Sequence, residues 1–292
     1  MTEPTKHPRK TVKLSVVDHD RDSANLRYVY PVISRRAGGV SVGINLNTNN
    51  ACNWRCIYCQ VPDLTRGTAP PADLAGLEQE LHDFLHELLH GDFMQSRVPE
   101  GMRRINDIAL SGNGEPTSCA EFDRVIAVVA KVRDAVALPD TVKTVLITNG
   151  SLIHRDAVQQ GLRAMAMLNG EVWFKLDRAS EAGMRRINDT HTTMGKVREH
   201  LITAISLCQT WLQTCWFAVD GVPPSSQDEE DYLAFVASLL RDGHPLQGVL
   251  LYGLARPSMQ TEAPRLSALP KEQLEAFAQR IRELGLTVKV SD

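Results

Sequence analysis

Three cysteines within eight positions are the residues of this sequence best suited to chemistry. Cys52, Cys56 and Cys59 follow the spacing Cys-x3-Cys-x2-Cys. Three thiolates on one loop can hold three corners of a 4Fe–4S cluster, whereas ordinary clusters of this type take four cysteines. The spacing therefore predicts a cluster in which one iron stays open to a small molecule.

A structural zinc site is the alternative for the same cysteines, and it needs four ligands. No cysteine precedes Cys52. The other candidates are three distant cysteines and a histidine series on a predicted helix: Cys119, Cys208, Cys215, His82, His86 and His90. We expect the histidines to line an exposed helix face and the distant cysteines not to be ligands. The iron–sulfur interpretation is favoured, and zinc remains the alternative.

Further polar or glycine residues follow other predicted strands. They are Gly112, Asn113, Gly114 and Glu115, then Thr148 and Asn149, then Lys175 and Asp177, and finally Asp220 and Arg256. Glycines let a backbone come close to a ligand, although this Gly-x-Gly lacks the third glycine of a dinucleotide fingerprint. Barrel enzymes place their active sites at the carboxyl ends of strands. We therefore expect these residues to share one face with the cysteine loop.

The elements that position these residues alternate along the chain. Strands are predicted at 40–46, 107–110, 142–147, 172–176, 215–219, 248–254 and 286–290, with helices between them, among them 73–89, 194–211 and 270–284. This alternation predicts a parallel sheet covered by helices with right-handed crossovers. Periodicity does not separate an incomplete barrel from an open doubly wound sheet. No linker divides the chain, so we expect a single domain over 1–292, with an N-terminal arm (1–37), a core (38–255) and a C-terminal helix and strand (256–292).

Composition excludes several classes of protein. Of 292 residues, 43% are hydrophobic and 23% are charged, and the net charge of −3 gives no general attraction to nucleic acid. No apolar run reaches the roughly 18–20 residues of a membrane span, and the first residues do not form a secretory signal. Clustered cysteines in such a chain indicate metal binding in the cytoplasm.

The cysteine spacing, Tyr58 and the segments 28–45, 56–61, 111–117, 147–150 and 172–177 together resemble the radical S-adenosylmethionine (SAM) superfamily. Within it they are most similar to the group related to wyosine-forming tRNA-modifying enzymes. The similarity covers most of residues 28–177 and fades after Asp189. It implies an α/β fold, a partial (β/α)6 TIM-like barrel of parallel strands with outer helices.

The resemblance also implies cofactors and roles. Cys52, Cys56 and Cys59 would hold one 4Fe–4S cluster, whose open iron binds S-adenosylmethionine. Residues 112–115 would contact the methionine amino group, Tyr58 the adenine side, and Thr148, Asn149, Lys175 and Asp177 the carboxylate or ribose. The resulting 5′-deoxyadenosyl radical would abstract hydrogen from an unidentified substrate, a small molecule or tRNA. A reducing electron donor such as flavodoxin or ferredoxin is implied. We expect Asn45, Asp220 and Arg256 near the substrate and assign no catalytic residue.

Overall fold

A computed structural model describes residues 26–34 and 38–291 of the chain. Its strands are β1 (Val29–Ser34), β2 (Gly39–Ile44), β3 (Ala51–Cys52), β4 (Thr65–Arg66), β5 (Ile105–Leu110), β6 (Lys143–Thr148), β7 (Gly170–Lys175), β8 (Gln209–Cys215), β9 (Ala218–Val219), β10 (Gly248–Tyr252), β11 (Leu266–Ser267) and β12 (Val288–Ser291). Its helices are α1 (Leu74–His90), α2 (Phe93–Arg97), α3 (Phe122–Ala135), α4 (Asp156–Ala166), α5 (Glu181–Asn188), α6 (Met194–Leu207), α7 (Ser226–Arg241) and α8 (Lys271–Arg282).

One large sheet organises these elements, in the order β1-β2-β5-β6-β7-β8-β10-β12. Every neighbouring pair from β2 to β12 is parallel, while β1 runs antiparallel to β2 at one edge. Strand β2 is buried along its whole length, as expected for a parallel strand covered on both faces. The predicted partial barrel of parallel strands with outer helices is confirmed.

The start of the described chain forms the edge strand β1, where the sequence predicts only an arm lying on the core. Apolar residues 28–33 allow this pairing, and Val29 lies opposite Ile44. The Glu80 carboxylate on α1 accepts hydrogen bonds from the backbone N–H groups of Arg27, Tyr28 and Val29 at 3.0, 2.8 and 3.2 Å. These bonds fasten the edge strand to a helix. Residues 1–25 and 35–37 of the predicted arm lie outside the described residues.

The boundary between α6 and β8 differs from the prediction. The predicted helix 194–211 is wrong beyond Leu207, because Cys208 is extended and Gln209 begins β8. Residues 210–215 are buried between the neighbouring strands β7 and β10, and a short run that includes Trp211 and Leu212 suits a strand as well as a helix. Cys215 consequently ends β8, whereas the sequence predicts that it begins a strand.

Helix α5 was not predicted from the sequence. The Ser180 side chain caps it by accepting a hydrogen bond from the Gly183 N–H.

The helices bury one apolar face against the outer side of the sheet. In α1 that face consists of Leu77, Leu81, Phe84, Leu85 and Leu88. Asp73 caps the same helix, as predicted, by accepting a hydrogen bond from the Gly76 N–H. Within residues 26–34 and 38–291, no helix combines the length and apolar character needed to cross a bilayer.

Candidate active site

A cavity of about 1120 Å³ lies on the inner side of the sheet, toward the carboxyl ends of the strands. Small-molecule sites usually measure roughly 300–1,000 Å³, so the cavity has room for a cofactor and part of a substrate. Its lining includes most of the predicted site residues: Cys52, Cys56, Cys59, Tyr58, Gly112, Asn113, Gly114, Glu115, Thr148, Asn149 and Lys175. The structure thus brings three separate loops to one place, as the sequence predicts.

The cysteine loop is partly exposed and partly buried. Strand β3 pairs with β4, and the Cys59 N–H donates to the Cys56 carbonyl at 2.9 Å. Burial raises the pKa of the Cys52 thiol to about 11 and that of Cys56 to about 12, although the positive charge of Lys175 opposes the shift at Cys56. A metal centre would bind these groups as thiolates, so its binding would release protons.

Residues 258–262, which we call the clamp, hold the outer side of the cysteine loop. The Met259 N–H donates to the Cys59 carbonyl at 2.8 Å, and the Ser258 hydroxyl donates to the Ile57 carbonyl at 2.8 Å. Gln260 adds a bond from its side-chain amide to the Val61 carbonyl at 3.0 Å. The carbonyl groups of an irregular loop are thereby satisfied by a segment 200 residues later in the chain.

Charge and a second backbone contact complete this attachment. The Arg55 guanidinium pairs with the Glu262 carboxylate of the clamp, with the closest atoms, Nη2 and Oε2, 2.7 Å apart. On the other side, the Arg55 and Ile57 N–H groups donate to the carbonyls of Asn188 and Ile187 at the end of α5. The loop is therefore held from two directions before any ligand binds.

Gly112 and Gly114 occupy positions where a side chain does not fit. Gly112 has φ +137°, and a Cβ atom there would overlap the side chain of Asn45. A Cβ atom on Gly114 would overlap the carbonyl oxygen of Ala51, which belongs to the cysteine loop. Glycine is required because two backbones pass each other without space for a methyl group.

Gly114→Ala is expected to destabilise the protein by about 1–3 kcal/mol, the usual cost of inserting a methyl group into a tightly packed site. The cysteine loop would also be displaced, because Ala51 adjoins Cys52. Chemical denaturation measures the first effect. Gly101→Ala is the matched control, since nothing lies within 4 Å of a Cβ atom there. Equal stability of the two variants would contradict the close approach described above.

Glu115 connects the glycine-rich loop to the loop after β6. It is buried, and its carboxylate accepts hydrogen bonds from the Thr148 hydroxyl at 2.6 Å, the Asn149 N–H at 2.7 Å and the Thr117 hydroxyl at 2.6 Å. Burial raises the pKa of Glu115, and these hydrogen bonds oppose the shift. The side chains of Glu115 and Thr148 therefore hold two cavity loops in register.

Two asparagines of the predicted site differ in what they offer a ligand. The Asn149 amide is engaged, because it donates to Asn53 in the cysteine loop at 2.8 Å and accepts from Ser151. The Asn113 amide nitrogen donates to Asn50 at 2.6 Å, but its buried oxygen Oδ1 has no hydrogen-bond partner in the described part of the chain. A buried amide oxygen that faces a cavity without a partner is suited to accept a hydrogen bond from a ligand.

Lys175, Tyr58 and Asp177 form a buried chain of hydrogen bonds. The Lys175 ammonium donates to the Tyr58 hydroxyl at 2.6 Å, which donates to the Asp177 carboxylate at 2.6 Å. Burial favours the neutral amine, but the negative charge of Asp177 outweighs it and raises the pKa of Lys175 well above its usual value. Lys175 therefore carries a fixed positive charge at the cavity wall.

Asp177 itself is not among the residues that line the cavity. It is 1% exposed, and its oxygens accept from Tyr58, from the Asn188 amide at 2.6 Å and from the Cys215 N–H at 2.9 Å. Asp177 therefore holds Tyr58 and Asn188 in place behind the cavity wall, and its predicted contact with the cofactor stays a prediction. Asn188, which the sequence did not single out, also donates to the Cys56 sulfur at 3.3 Å.

Three residues were expected near the substrate. Asn45 and Arg256 line the cavity. Asp220 does not: it lies beyond β9, more than half exposed, and pairs with Arg265 at 2.7 Å. That prediction was wrong because β8 ends at Cys215, five residues before Asp220. The cavity wall at the end of β8 is instead formed by Cys215.

The three cysteines of the loop suit an iron–sulfur cluster. Across residues 26–34 and 38–291, no three histidine, cysteine, aspartate or glutamate side chains converge to share one metal ion. The three cysteines of an iron–sulfur cluster bind different irons and do not need to converge on one. Three soft thiols on a fixed loop beside an ample cavity suit this arrangement.

Comparison with known proteins gives distant relatives. No protein-family model matches the chain. A UPF0026 protein of Helicobacter pylori strain J99 is 25% identical over 250 residues, which is 83% of this chain and 71% of the relative. A UPF0026 protein of Methanocaldococcus jannaschii is 26% identical over 179 residues, 59% of this chain and 47% of the relative.

Solved structures share the architecture. A radical SAM methyltransferase from Sphaerobacter thermophilus superposes with a TM-score of 0.56 at 13% identity, over 90% of this chain and 68% of its own. TYW1 with a lysine-pyruvate adduct bound superposes with a TM-score of 0.52 at 14% identity, over 83% of this chain and 73% of its own. The chain therefore shares the fold of these two solved structures, in agreement with the resemblance that the motifs indicate.

Proposed function

We propose that this chain is a radical SAM enzyme with a single 4Fe–4S cluster held by Cys52, Cys56 and Cys59. The supporting observation is that these thiols face the same cavity as residues 112–115 and 148–149. When bound, the cluster would supply the electron for cleavage of a carbon–sulfur bond of S-adenosylmethionine, and the chemistry so supplied would be hydrogen abstraction from the substrate by a 5′-deoxyadenosyl radical. No other chemistry is required of the chain than to bind, orient and shield these groups.

The residues around the cysteines have complementary roles in this proposal. Gly112 and Gly114 allow the backbone to approach the methionine end of the cofactor. The Asn113 oxygen accepts from its amino group, and the Lys175 ammonium attracts its carboxylate. Asp177 keeps Lys175 charged and holds Tyr58 against the cavity.

The substrate in this proposal is either a small molecule or tRNA, and the reductant is a protein such as flavodoxin or ferredoxin. Free thiols at all three cysteines agree with a reducing compartment, and we propose the cytoplasm. The net charge of −3 does not favour a nucleic acid partner, so we place the small molecule first.

An anaerobic cleavage assay tests the function. The chain is reconstituted with iron and sulfide, reduced with dithionite and mixed with S-adenosylmethionine, with and without bulk tRNA. We expect 5′-deoxyadenosine to form, and a yield that rises with tRNA would identify a nucleic acid substrate. Stoichiometric zinc without sulfide would indicate a binding module instead, and cofactor binding without iron would indicate a conventional methyltransferase.

A further inference from the structure

The cavity continues from the cysteine loop along the inner face of the sheet to two polar residues, Asp107 on β5 and Gln213 on β8. Both line it, and they are only 6% and 5% exposed. Asp107 precedes Gly112 by five residues, or about 16 Å of extended chain. The part of the cavity around Asp107, which we call the floor, is therefore separate from the glycine-rich loop, whereas Gln213 lies beside Lys175 in the pairing of β7 with β8.

Asp107 is a buried carboxylate on β5 that lines the cavity. The Ser41 hydroxyl donates to one of its oxygens. Lys143, the neighbouring cation on β6, is paired with Glu171, whose other oxygen accepts from the Trp173 indole at 3.2 Å. Asp107 makes no ion pair with any described residue, and burial raises its pKa to about 6. An unpaired buried charge costs folding free energy, so a bound cation would stabilise this carboxylate.

Gln213 carries a second unmatched acceptor. Its side-chain oxygen Oε1 is buried and has no hydrogen-bond partner among residues 26–34 and 38–291. Most buried polar groups in folded proteins are hydrogen-bonded. Because this oxygen has almost no accessible surface and its residue neighbours Lys175, the group that the floor presents to a ligand is the Asp107 carboxylate, and the molecule that fills the floor must supply a donor.

We propose that the floor binds a cationic nitrogen group of the substrate, an ammonium, amidinium or guanidinium, that donates to Asp107. This inference rests on the proposed function, because it concerns the substrate of the same cavity. The lining of the cavity also includes Ala109, Ile147 and the ring of Trp173. They would contact the apolar body of the substrate, and an indole face also attracts a cation.

Simple alkyl probes test the charge preference of the floor. Titration calorimetry with the anaerobically reconstituted full-length chain compares n-butylammonium, n-butanol and n-butyrate. We expect n-butylammonium to bind most tightly and n-butyrate not to bind. Asp107→Asn keeps the shape and the Ser41 contact but removes the charge, so n-butylammonium should bind roughly tenfold more weakly.

Two further variants make the result decisive. Asp134→Asn alters an exposed carboxylate on α3 and should bind like the wild type. Asp107→Glu keeps the carboxylate and should bind n-butylammonium more tightly than Asp107→Asn does. Unchanged binding in Asp107→Asn or a preference of the wild type for n-butyrate would each overturn the inference, and the second result decides the matter if the variants do not fold.

The same preparation separates this inference from the proposed function. If it cleaves S-adenosylmethionine but shows no Asp107-dependent binding of n-butylammonium, the floor assignment fails and the radical SAM function stands. If the binding depends on Asp107 but no cleavage occurs, the function fails and the floor remains a cation site.

Discussion

Cys56→Ala is expected to abolish both the cluster and all cleavage of S-adenosylmethionine. The wild-type chain should take up about four irons and four sulfides on anaerobic reconstitution, and the variant should retain none of the brown absorption of the cluster. The two thiolates that remain cannot hold a cluster that needs three cysteine ligands. The Cys56 sulfur is also the one that accepts from Asn188, so its removal deletes the most firmly oriented ligand.

Cys119→Ala and Cys208→Ala are the matched controls for this loss. Both cysteines are buried, at 1% and 5% exposure, and both lie outside the cavity. The two control variants should take up the same amounts of iron and sulfide on reconstitution as the wild type. Iron content that survives in Cys56→Ala, or that is lost equally in Cys208→Ala, would refute the assignment of the ligands.

Asp177→Ala is expected to cost about 3–5 kcal/mol of folding stability, as is usual when one member of a buried charged pair is removed. The Lys175 ammonium would lose the charge that holds it protonated. The Tyr58 hydroxyl, the Asn188 amide and the Cys215 N–H would each lose an acceptor. Urea denaturation of the chain before reconstitution measures the effect without interference from a metal.

The pH dependence of that difference identifies its cause. The pKa of Lys175 is higher in the folded chain than in the unfolded chain, so its charge stabilises the fold below about pH 10. This contribution is lost as the pH rises through the folded pKa. In Asp177→Ala, burial without the nearby carboxylate would lower the pKa of Lys175, so the difference between wild type and variant should be largest at low pH and shrink as the pH rises. Asp134→Ala, an exposed carboxylate on α3, should change stability by less than about 0.5 kcal/mol. A similar loss in both variants would rule out the buried network as the cause.

The parts of the site that sequence predicts well are those whose cause is local. Cys52, Cys56 and Cys59 share one loop, and the requirement for glycine at Gly112 and Gly114 is visible as a short motif. The alternation of strands and helices also fixes which residues end on the same sheet edge. These features depend on spacing, and spacing is what a sequence records.

The parts that sequence misses depend on which segments meet in three dimensions. Nothing in residues 258–262 distinguishes the clamp from an ordinary loop, and Asn188 looks like any polar residue at a helix end. Asp107 and Gln213 read as ordinary strand residues until their partners are known. Asp220 was misplaced because residues 209–211 suit a helix or a strand equally, and that choice moved the predicted start and end of β8 toward the carboxyl terminus.

The clamp has a consequence for biosynthesis. While the ribosome is still making the second half of the chain, Cys52, Cys56 and Cys59 have already emerged, but the backbone partners of their loop have not. The contacts from Ile187 and Asn188 arrive first, and those from Ser258, Met259 and Glu262 arrive only after a further stretch of chain has been made. The finished geometry of the loop therefore exists only once Glu262 has been made, so cellular iron–sulfur assembly factors would meet that geometry later than the cysteines themselves.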